Sequence, residues 1–329
     1  MTTTGALESQ VLSALQRRKL PVTGLAGMRR LTGGAMQETW RIETQAPPPF
    51  DRLILRRAPS RSEPRPGTIS LAAQAHISET ARKHGVPGPE VIAILDEDDG
   101  LGEGFLMTFV EGETVPQRVL RQPNLARARE RLAGQCGAIL AKLHDAPPAE
   151  LPPLPRFTAK DKLERLHDQY LRQGRPRPVF ELAFSWLRRR LPQDEPEARL
   201  VHGDFRNGNF IIGENGLVAV LDWERAFLGD PMFDAGWLCV GSWRFGAIDL
   251  PVGGFGSLAD FVEAYEAAGG KFEPKRARYW EAYGILDWGV TTVDLAIEAQ
   301  ETQALELAAI GRRSTETEID LIRLMRDHE

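Results

Sequence analysis

VHGDFRNGNF, residues 201–210, is the stretch from which the fold of this chain can be inferred. The short apolar run that ends it continues through residues 210–212, and GENG, residues 213–216, has the composition of a tight turn. Residues 217–221 then predict a returning strand, which ends at LDWE, residues 221–224. The pattern therefore predicts a polar loop, a β-hairpin and an acidic cluster that the hairpin brings back beside the loop.

Three side chains of this segment have the chemistry of a phosphoryl-transfer centre. Asp204 can accept the proton of an attacking hydroxyl group, and Asn209 and Asp222 offer the oxygen ligands that Mg²⁺ prefers. Gly208 allows a tight turn between the base and the first metal ligand. A lone Asp and Asn at this spacing would carry little weight, but loop, hairpin and acidic cluster occur in order. We predict Asp204 as catalytic base and the other two as Mg²⁺ ligands.

These residues resemble the aminoglycoside phosphotransferase and choline kinase-like superfamily. The similarity is greatest to a bacterial branch of phosphotransferase-family proteins, related to the kinase-like domain that also occurs fused to acyl-CoA dehydrogenases. It extends from about residue 32 to about residue 292. The matching segments are HGDFRNGN (202–209), LDWERAFLGDP (221–231), Asp234, GWLCVGSWRFG (236–246) and PVGGFGS (251–257).

The resemblance implies an α+β, bilobal protein kinase-like fold and an ATP-dependent phosphotransferase. A small antiparallel-sheet N-lobe would comprise residues 1–110 and a larger, mainly helical C-lobe residues 111–329. In the N-lobe, residues 31–42 predict two strands joined by a glycine-rich turn, whose N–H groups can approach phosphate oxygens. A plain hairpin is the alternative for this stretch taken alone. The turn residues predicted to bind nucleotide are Gly33, Gly34, Ala35, Met36 and Gln37.

The next predicted strand, residues 52–57, carries the cation implied to contact the nucleotide phosphates. Arg56 stands where the family has lysine, and a surface strand charge is the alternative for it. Because side chains alternate along a strand, Ile54 shares the face of Arg56, and Arg57 is expected to point into solvent. Further along, residues 104–112 predict the strand that leaves the N-lobe. We expect Met107 and Phe109 to lie where that strand meets adenine.

The predicted helix over residues 69–84 departs from the family at one position. Its match to the family's glutamate is Gln74, which is neutral and can only hydrogen-bond Arg56. Glu79 is acidic but lies on a different face of the helix. The contribution of the N-lobe to phosphate binding is therefore expected to be weakened.

Other polar residues near the loop are assigned supporting roles. We expect His202 and Asp234 to hold the loop without touching substrate. Arg206 is expected to lie near the transferring phosphate or, equally, to form a salt bridge. Glu224 is a candidate for assisting the metal through a water molecule.

The acceptor is less well defined by the sequence. Trp243 and Phe245 begin a loop that is aromatic and carries one arginine, whereas a site for a polycationic aminoglycoside should be rich in carboxylates. This composition favours an apolar or anionic hydroxyl compound, for example a hydroxyacyl-CoA. The alternatives are an antibiotic phosphotransferase and a nucleotide-binding protein without catalysis. A protein kinase is disfavoured because only about seven residues separate Asp222 from Gly229.

Composition agrees with a two-lobed globular enzyme that works in the cytoplasm, where ATP is available. The 329 residues carry a net charge of −5, which argues against a nucleic-acid or anionic-membrane partner. Cys136 and Cys239 are expected to be reduced core thiols. No signal peptide or membrane-length apolar run is recognisable. The expected partner is a small-molecule hydroxyl acceptor, and a homodimer is left open.

Overall fold

The computed structural model describes residues 4–33, 37–58 and 67–326. The first part of the chain forms an antiparallel sheet from β1 (Leu25–Gly33), β2 (Glu38–Thr44), β3 (Arg52–Ala58), β4 (Val91–Ile94) and β5 (Glu103–Thr108). The strand order across this sheet is β1-β2-β3-β5-β4. Two shorter antiparallel pairs follow, formed by β6 (Arg199–Val201) with β9 (Phe227–Gly229) and by β7 (Phe210–Gly213) with β8 (Gly216–Val220).

Helices form most of the rest of the described chain. Helix α1 (Thr4–Arg17) precedes the sheet, and α2 (Leu71–Lys83) lies between β3 and β4. The later helices are α3 (Pro116–Arg121), α4 (Ala126–Asp145), α5 (Ala159–Arg172), α6 (Pro178–Arg189), α7 (Met232–Leu238), α8 (Leu258–Ala267), α9 (Pro274–Thr302), α10 (Leu305–Gly311) and α11 (Ser314–Arg326). The predicted α+β class is confirmed, and the lobe boundary at residues 110 and 111 stays a prediction.

The two faces of the large sheet are covered by different helices. Leu53 and Leu55 of β3 pack with Leu7, Val11 and other apolar residues of α1 in one buried cluster. The other face packs on α2. The cover over both faces shows that the expectation of a solvent-exposed Arg57 was wrong.

Arg57 does not point into solvent. Its side chain lies on the face that α1 covers, and the residue is only 6% exposed. Its Nε donates to Glu38 Oε2 at 2.9 Å, and its Nη1 donates to the carbonyl oxygen of Leu101 at 3.3 Å. The strand pattern gave the correct face, but it could not show that a distant helix closes that face.

The larger core lies among the helices of the second part of the chain and around the two short strand pairs. Cys136 and Cys239 are both buried and free, as predicted. Among the helices of the described ranges, none combines the length and the apolar character that crossing a bilayer requires.

A buried aspartate fastens α1 to the sheet. The side chain of Asp99 is fully buried, and it forms ion pairs with Arg17 and Arg18 at the end of α1. Burial alone would raise the pKa of Asp99. Hydrogen bonds from Arg18, from the backbone N–H of Asp96 and from Arg17 outweigh burial and lower that pKa to about 2.

The Asp99→Asn variant should therefore lose stability in a pH-dependent way. Because the folded pKa lies below the ordinary value of 3.8, the contribution is present above that pH and is lost as the pH falls towards about 2. We expect the variant to lose about 2 kcal/mol of unfolding free energy at pH 7, measured by urea denaturation. The gap to the wild type should close between pH 4 and pH 2.

The matched control is Asp98→Asn. The Asp98 side chain is 91% exposed and lies 3.9 Å from Arg17, so its loss should have no measurable effect. Equal effects of the two substitutions, or a gap that does not depend on pH, would contradict the assignment.

Candidate active site

The loop between β6 and β7 is held by one buried carboxylate. Asp234, in the first turn of α7, accepts the backbone N–H groups of His202 at 2.8 Å and of Gly203 at 2.9 Å. Its Oδ2 also lies 3.4 Å from His144 Nε2. Gly203 has a φ of 80°, and a side chain there would overlap the carbonyl oxygen of Arg225. The predicted contact between Asp234 and the loop backbone is present.

His202 links this loop to the end of the hairpin. Its Nε2 lies 3.0 Å from the carbonyl oxygen of Leu221, which can only accept, so Nε2 carries the hydrogen. Its Nδ1 then accepts the backbone N–H of Asp204 at 3.2 Å. Burial lowers the pKa of His202 despite the nearby carboxylates. The imidazole is thus a neutral connector that fixes the backbone of Asp204.

The carboxylate of Asp204 is held from both sides. Arg206 Nε at 2.9 Å and the indole Nε1 of Trp237 at 2.8 Å donate to Oδ1. The amide nitrogen of Asn209 donates to Oδ2 at 2.6 Å. Asp204 is 9% exposed, so a small part of the residue still reaches solvent. Of the two places expected for Arg206, the structure shows the salt bridge.

The hairpin returns the chain to this loop as the sequence predicted. The N–H of Leu221 donates to the carbonyl oxygen of Asn209 at 2.8 Å, which puts Asp222 next to it. Asp222 adopts a left-handed conformation with φ of 68°, a rare state for a non-glycine residue. Such strain is stored where the surrounding structure over-determines it, and functional sites are frequent among such places.

The oxygen atoms at this point suit a hard cation. The side-chain nitrogen of Asn209 is used by Asp204, and its Oδ1 accepts no hydrogen bond from any described residue. Together with the carboxylate of Asp222 it supplies two ligands, which is the usual protein share for Mg²⁺ beside phosphates. Over the described ranges, three or more His, Cys, Asp or Glu side chains never converge into a metal cluster. The donor set thus fits a metal that is shared with a ligand.

Arg56 lies at the expected place but with a different partner. Its Nη2 donates to Asp222 Oδ1 at 3.2 Å and to Gln37 Oε1 at 3.3 Å. The expected hydrogen bond from Arg56 to Gln74 is not formed. The Gln74 amide nitrogen donates to the carbonyl oxygen of Ile69 at 3.1 Å, and its buried Oε1 has no partner among the described residues. A neutral amide attracts the guanidinium less than a carboxylate does, so Arg56 pairs with Asp222 instead.

Glu224 lies within the same electrostatic field. Burial raises the pKa of Glu224 and repulsion from Asp222 adds to the rise, whereas Arg56 acts in the opposite direction. Its backbone carbonyl accepts the N–H of Ile69 at 2.9 Å and so joins this segment to the start of α2. Its part in holding a metal remains a prediction.

The other predicted nucleotide contacts are located only in part. Gly33 pairs with Glu38 at the end of the β1–β2 hairpin, whereas Gly34, Ala35 and Met36 lie outside the described residues. Met107 of β5 pairs with Ile54 of β3 in the sheet.

The backbone N–H of Phe109 is already used. It donates to the carbonyl oxygen of Arg52 at 3.0 Å. The ring of Phe109 contacts the guanidinium groups of Arg41 and Arg52. A donor to adenine in this strand exit would therefore have to come from a neighbouring residue.

The predicted acceptor loop contacts the loop that carries Asp204. The buried amide of Asn207 donates to the carbonyl oxygen of Gly253 at 2.9 Å. The guanidinium of Arg206 lies 4.6 Å from the centre of the Trp243 ring. Phe245 follows in a left-handed conformation with φ of 45°. Trp243 itself is buried, so it supports Arg206 and presents little surface of its own.

From the sequence, no role at the site was assigned to Trp237. Its indole N–H donates to the candidate base, and its ring lies 4.8 Å from the guanidinium of Arg225. Arg225 in turn pairs with Asp287 of α9 at 2.6 Å. The available signal was the spacing from Asp234, since residues three apart on a helix share a side.

Comparison with known proteins agrees with this geometry. The model of the phosphotransferase enzyme family matches residues 27–280. The chain belongs to this family. The match includes most of β1, all of β2 to β5, the loop at residues 202–209, the hairpin of β7 and β8, and α7.

Individual proteins support the fold. A protein of Ralstonia eutropha JMP134, provisionally described as an aminoglycoside phosphotransferase, has a TM-score of 0.73 over 97% of this chain and 98% of that one, at 18% identity. A thermostable mutant of aminoglycoside phosphotransferase APH(4)-Ia, in a ternary complex with AMP-PNP and hygromycin B, has a TM-score of 0.64 at 14% identity. It covers 97% of this chain and 98% of that one. At these identities the likeness establishes the fold, which confirms the predicted protein kinase-like architecture.

A curated relative is much longer than this chain. Probable acyl-CoA dehydrogenase IBR3 of Arabidopsis thaliana is 28% identical over 286 residues, which are 76% of this chain and 33% of the relative. The chain therefore spans about a third of the length of that protein.

Replacing Trp237 by phenylalanine should slow phosphoryl transfer without weakening nucleotide binding. The ring would still fill its site, but Asp204 would lose a donor, and hydrogen bonds to charged groups contribute about 1.5–3 kcal/mol. We expect kcat for ADP release to fall roughly tenfold or more. Trp280→Phe is the control, because the buried indole N–H of Trp280 bonds no residue in the part of the chain that the structure describes. Unchanged kcat in Trp237→Phe would show that this donor has no catalytic effect.

Proposed function

We propose that the protein is an Mg·ATP-dependent small-molecule kinase that transfers the γ-phosphoryl group to a hydroxyl. One observation carries this proposal. Arg206, Asn209 and Trp237 hold the carboxylate of Asp204 by hydrogen bonds. The amide oxygen of Asn209 and the carboxylate of Asp222, in the same chain segment, take no part in these bonds. This is the separation of base and metal ligands that phosphoryl transfer requires.

On the acceptor side, Asp204 takes the proton of the hydroxyl group. Arg206, Trp237 and Asn209 keep its carboxylate in one orientation, so little reorganisation is needed when the hydroxyl arrives. His202 and Asp234 hold the backbone of the base and do not touch the substrate.

On the nucleotide side, Asn209 and Asp222 hold Mg²⁺, which when bound neutralises charge on the phosphates. Arg56 contacts the phosphates, and the β1–β2 hairpin covers them. Asp222 and Gln37, not Gln74, hold Arg56 before the nucleotide binds. Adenine lies beside Met107 and the strand exit near Phe109, with the lobes meeting near residue 110. The cytoplasm supplies the ATP.

For the acceptor, we favour an apolar or anionic hydroxyl compound over an aminoglycoside. Arg206 lies beside Asp204 and against the ring of Trp243, at the start of the acceptor segment, where a polycation would need carboxylates. A hydroxyacyl-CoA is one such compound, and the curated relative named for acyl-CoA dehydrogenase activity is in keeping with it. Antibiotic phosphorylation and nucleotide binding without catalysis are the competing functions.

The Asp222→Asn variant should lose the Mg²⁺-dependent part of nucleotide binding. Asparagine tolerates the left-handed conformation of this position, so the substitution removes charge without straining the backbone. Calorimetric titration of ATP with and without Mg²⁺ measures the effect. Wild-type binding should be much tighter with Mg²⁺, and the variant should bind equally with and without it. A wild type that binds no ATP in either condition would reject the kinase proposal.

The Asp204→Asn variant should bind Mg·ATP normally but transfer phosphate slowly. An amide can occupy the same site but cannot accept the hydroxyl proton, and such a base contributes roughly 10²–10⁴-fold. We expect kcat to fall by about that factor in a steady-state assay of ADP release. Turnover at the wild-type rate would show that Asp204 is not the base.

A further inference from the structure

The guanidinium of Arg206 is held on one edge and open on the other. Its Nε is used by Asp204, and its plane lies against Trp243. Its terminal nitrogens Nη1 and Nη2 make no hydrogen bond to any residue that the structure describes. The side chain is 24% exposed, so this open edge reaches solvent beside the candidate base.

Several features fix the group in this position. Trp243 is itself buried between Trp237 and Trp288, with ring centres at 5.6 Å and 4.9 Å. From the other side, Nη1 lies over Gly208, where an added Cβ would be 2.7 Å away. Gly208 has a φ of 123°, so this position both needs glycine and leaves room for the guanidinium. A long, flexible side chain that is ordered in this way has already lost most of its conformational entropy.

The guanidinium of Arg206 lies between the candidate base and Trp243. Arg206 contacts Oδ1 of Asp204, whereas Asn209 contacts Oδ2. Trp243, against which Arg206 stacks, belongs to the segment that leads into the acceptor loop, and Gly253 of that loop accepts from Asn207. The nucleotide cation Arg56, in contrast, pairs with Asp222. The guanidinium therefore lies between the candidate base and the segment that leads into the acceptor loop.

We infer that Arg206 binds an anionic group of the acceptor, a carboxylate or a phosphate, that lies a few bonds from the hydroxyl to be phosphorylated. A planar guanidinium with two parallel N–H groups matches such oxyanions in a two-pronged geometry. The acceptor class is therefore a hydroxy acid or a hydroxyalkyl phosphate. The inference rests on the proposed function and, among the acceptors proposed there, favours these classes over a hydroxyacyl-CoA, whose thioester carries no charge near the hydroxyl.

The test compares matched anionic and neutral hydroxyl compounds. The pairs are 3-hydroxybutyrate with its methyl ester, and glycerol 3-phosphate with glycerol. Their dissociation constants are measured by calorimetry with wild-type protein saturated with Mg·AMP-PNP. We expect the anionic member of at least one pair to bind roughly tenfold more tightly than its neutral partner. If no anionic member is preferred, the inference is wrong.

Variants show whether Arg206 is responsible. Arg206→Gln should abolish the preference, and Arg206→Lys should retain part of it because charge remains without the planar fork. Arg172→Gln, which removes an exposed arginine of α5, should leave the preference unchanged. None of these variants should change the affinity for Mg·AMP-PNP alone.

Two other outcomes separate the possible failures. Weaker Mg·AMP-PNP binding by Arg206→Gln would assign Arg206 to the nucleotide and overturn the inference. Failure of the wild type to bind Mg·AMP-PNP at all would instead reject the proposed function, on which the inference depends.

Discussion

The buried carboxylate of Asp234 accepts two consecutive backbone N–H groups, those of His202 and Gly203. A charge in a protein interior is costly unless it is hydrogen-bonded, and this one is bonded by the loop that it organises. It lies in the first turn of α7, where the helix dipole favours a negative charge. The contact fixes the left-handed turn at Gly203, and the direction of Asp204 follows from that turn.

Helix α7 therefore contributes twice to the same site. Asp234 holds the backbone before the candidate base, and Trp237, one turn later, holds the side chain of that base. The ring of Trp237 packs near Arg225, which is tied to Asp287 of the long helix α9. The base is thus supported by rigid helices, which is how a preorganised site keeps its geometry before substrate binds.

Much of this arrangement could be predicted because its signals are local in sequence. The hairpin of β7 and β8 follows from an apolar run, a turn and a second apolar run, and it returns Asp222 to Asn209. What could not be predicted depends on packing between distant segments. Arg57 is buried on the face of the sheet that packs on α1, where it bonds Glu38 and the carbonyl oxygen of Leu101. Gln74 bonds the carbonyl of Ile69, because the start of α2 lies against the segment at Glu224.

The ion pair between Arg56 and Asp222 joins the sheet to the end of the hairpin, across 166 residues of sequence. The guanidinium of an arginine does not lose its proton in proteins, so this positive charge is permanent. The negative charge of Asp222 is therefore balanced by Arg56 before any ligand binds. A divalent cation at Asp222 would therefore not meet an uncompensated negative charge. It would replace Arg56 as the partner of Asp222, and the guanidinium of Arg56 would then be free to contact an anionic group bound to the cation.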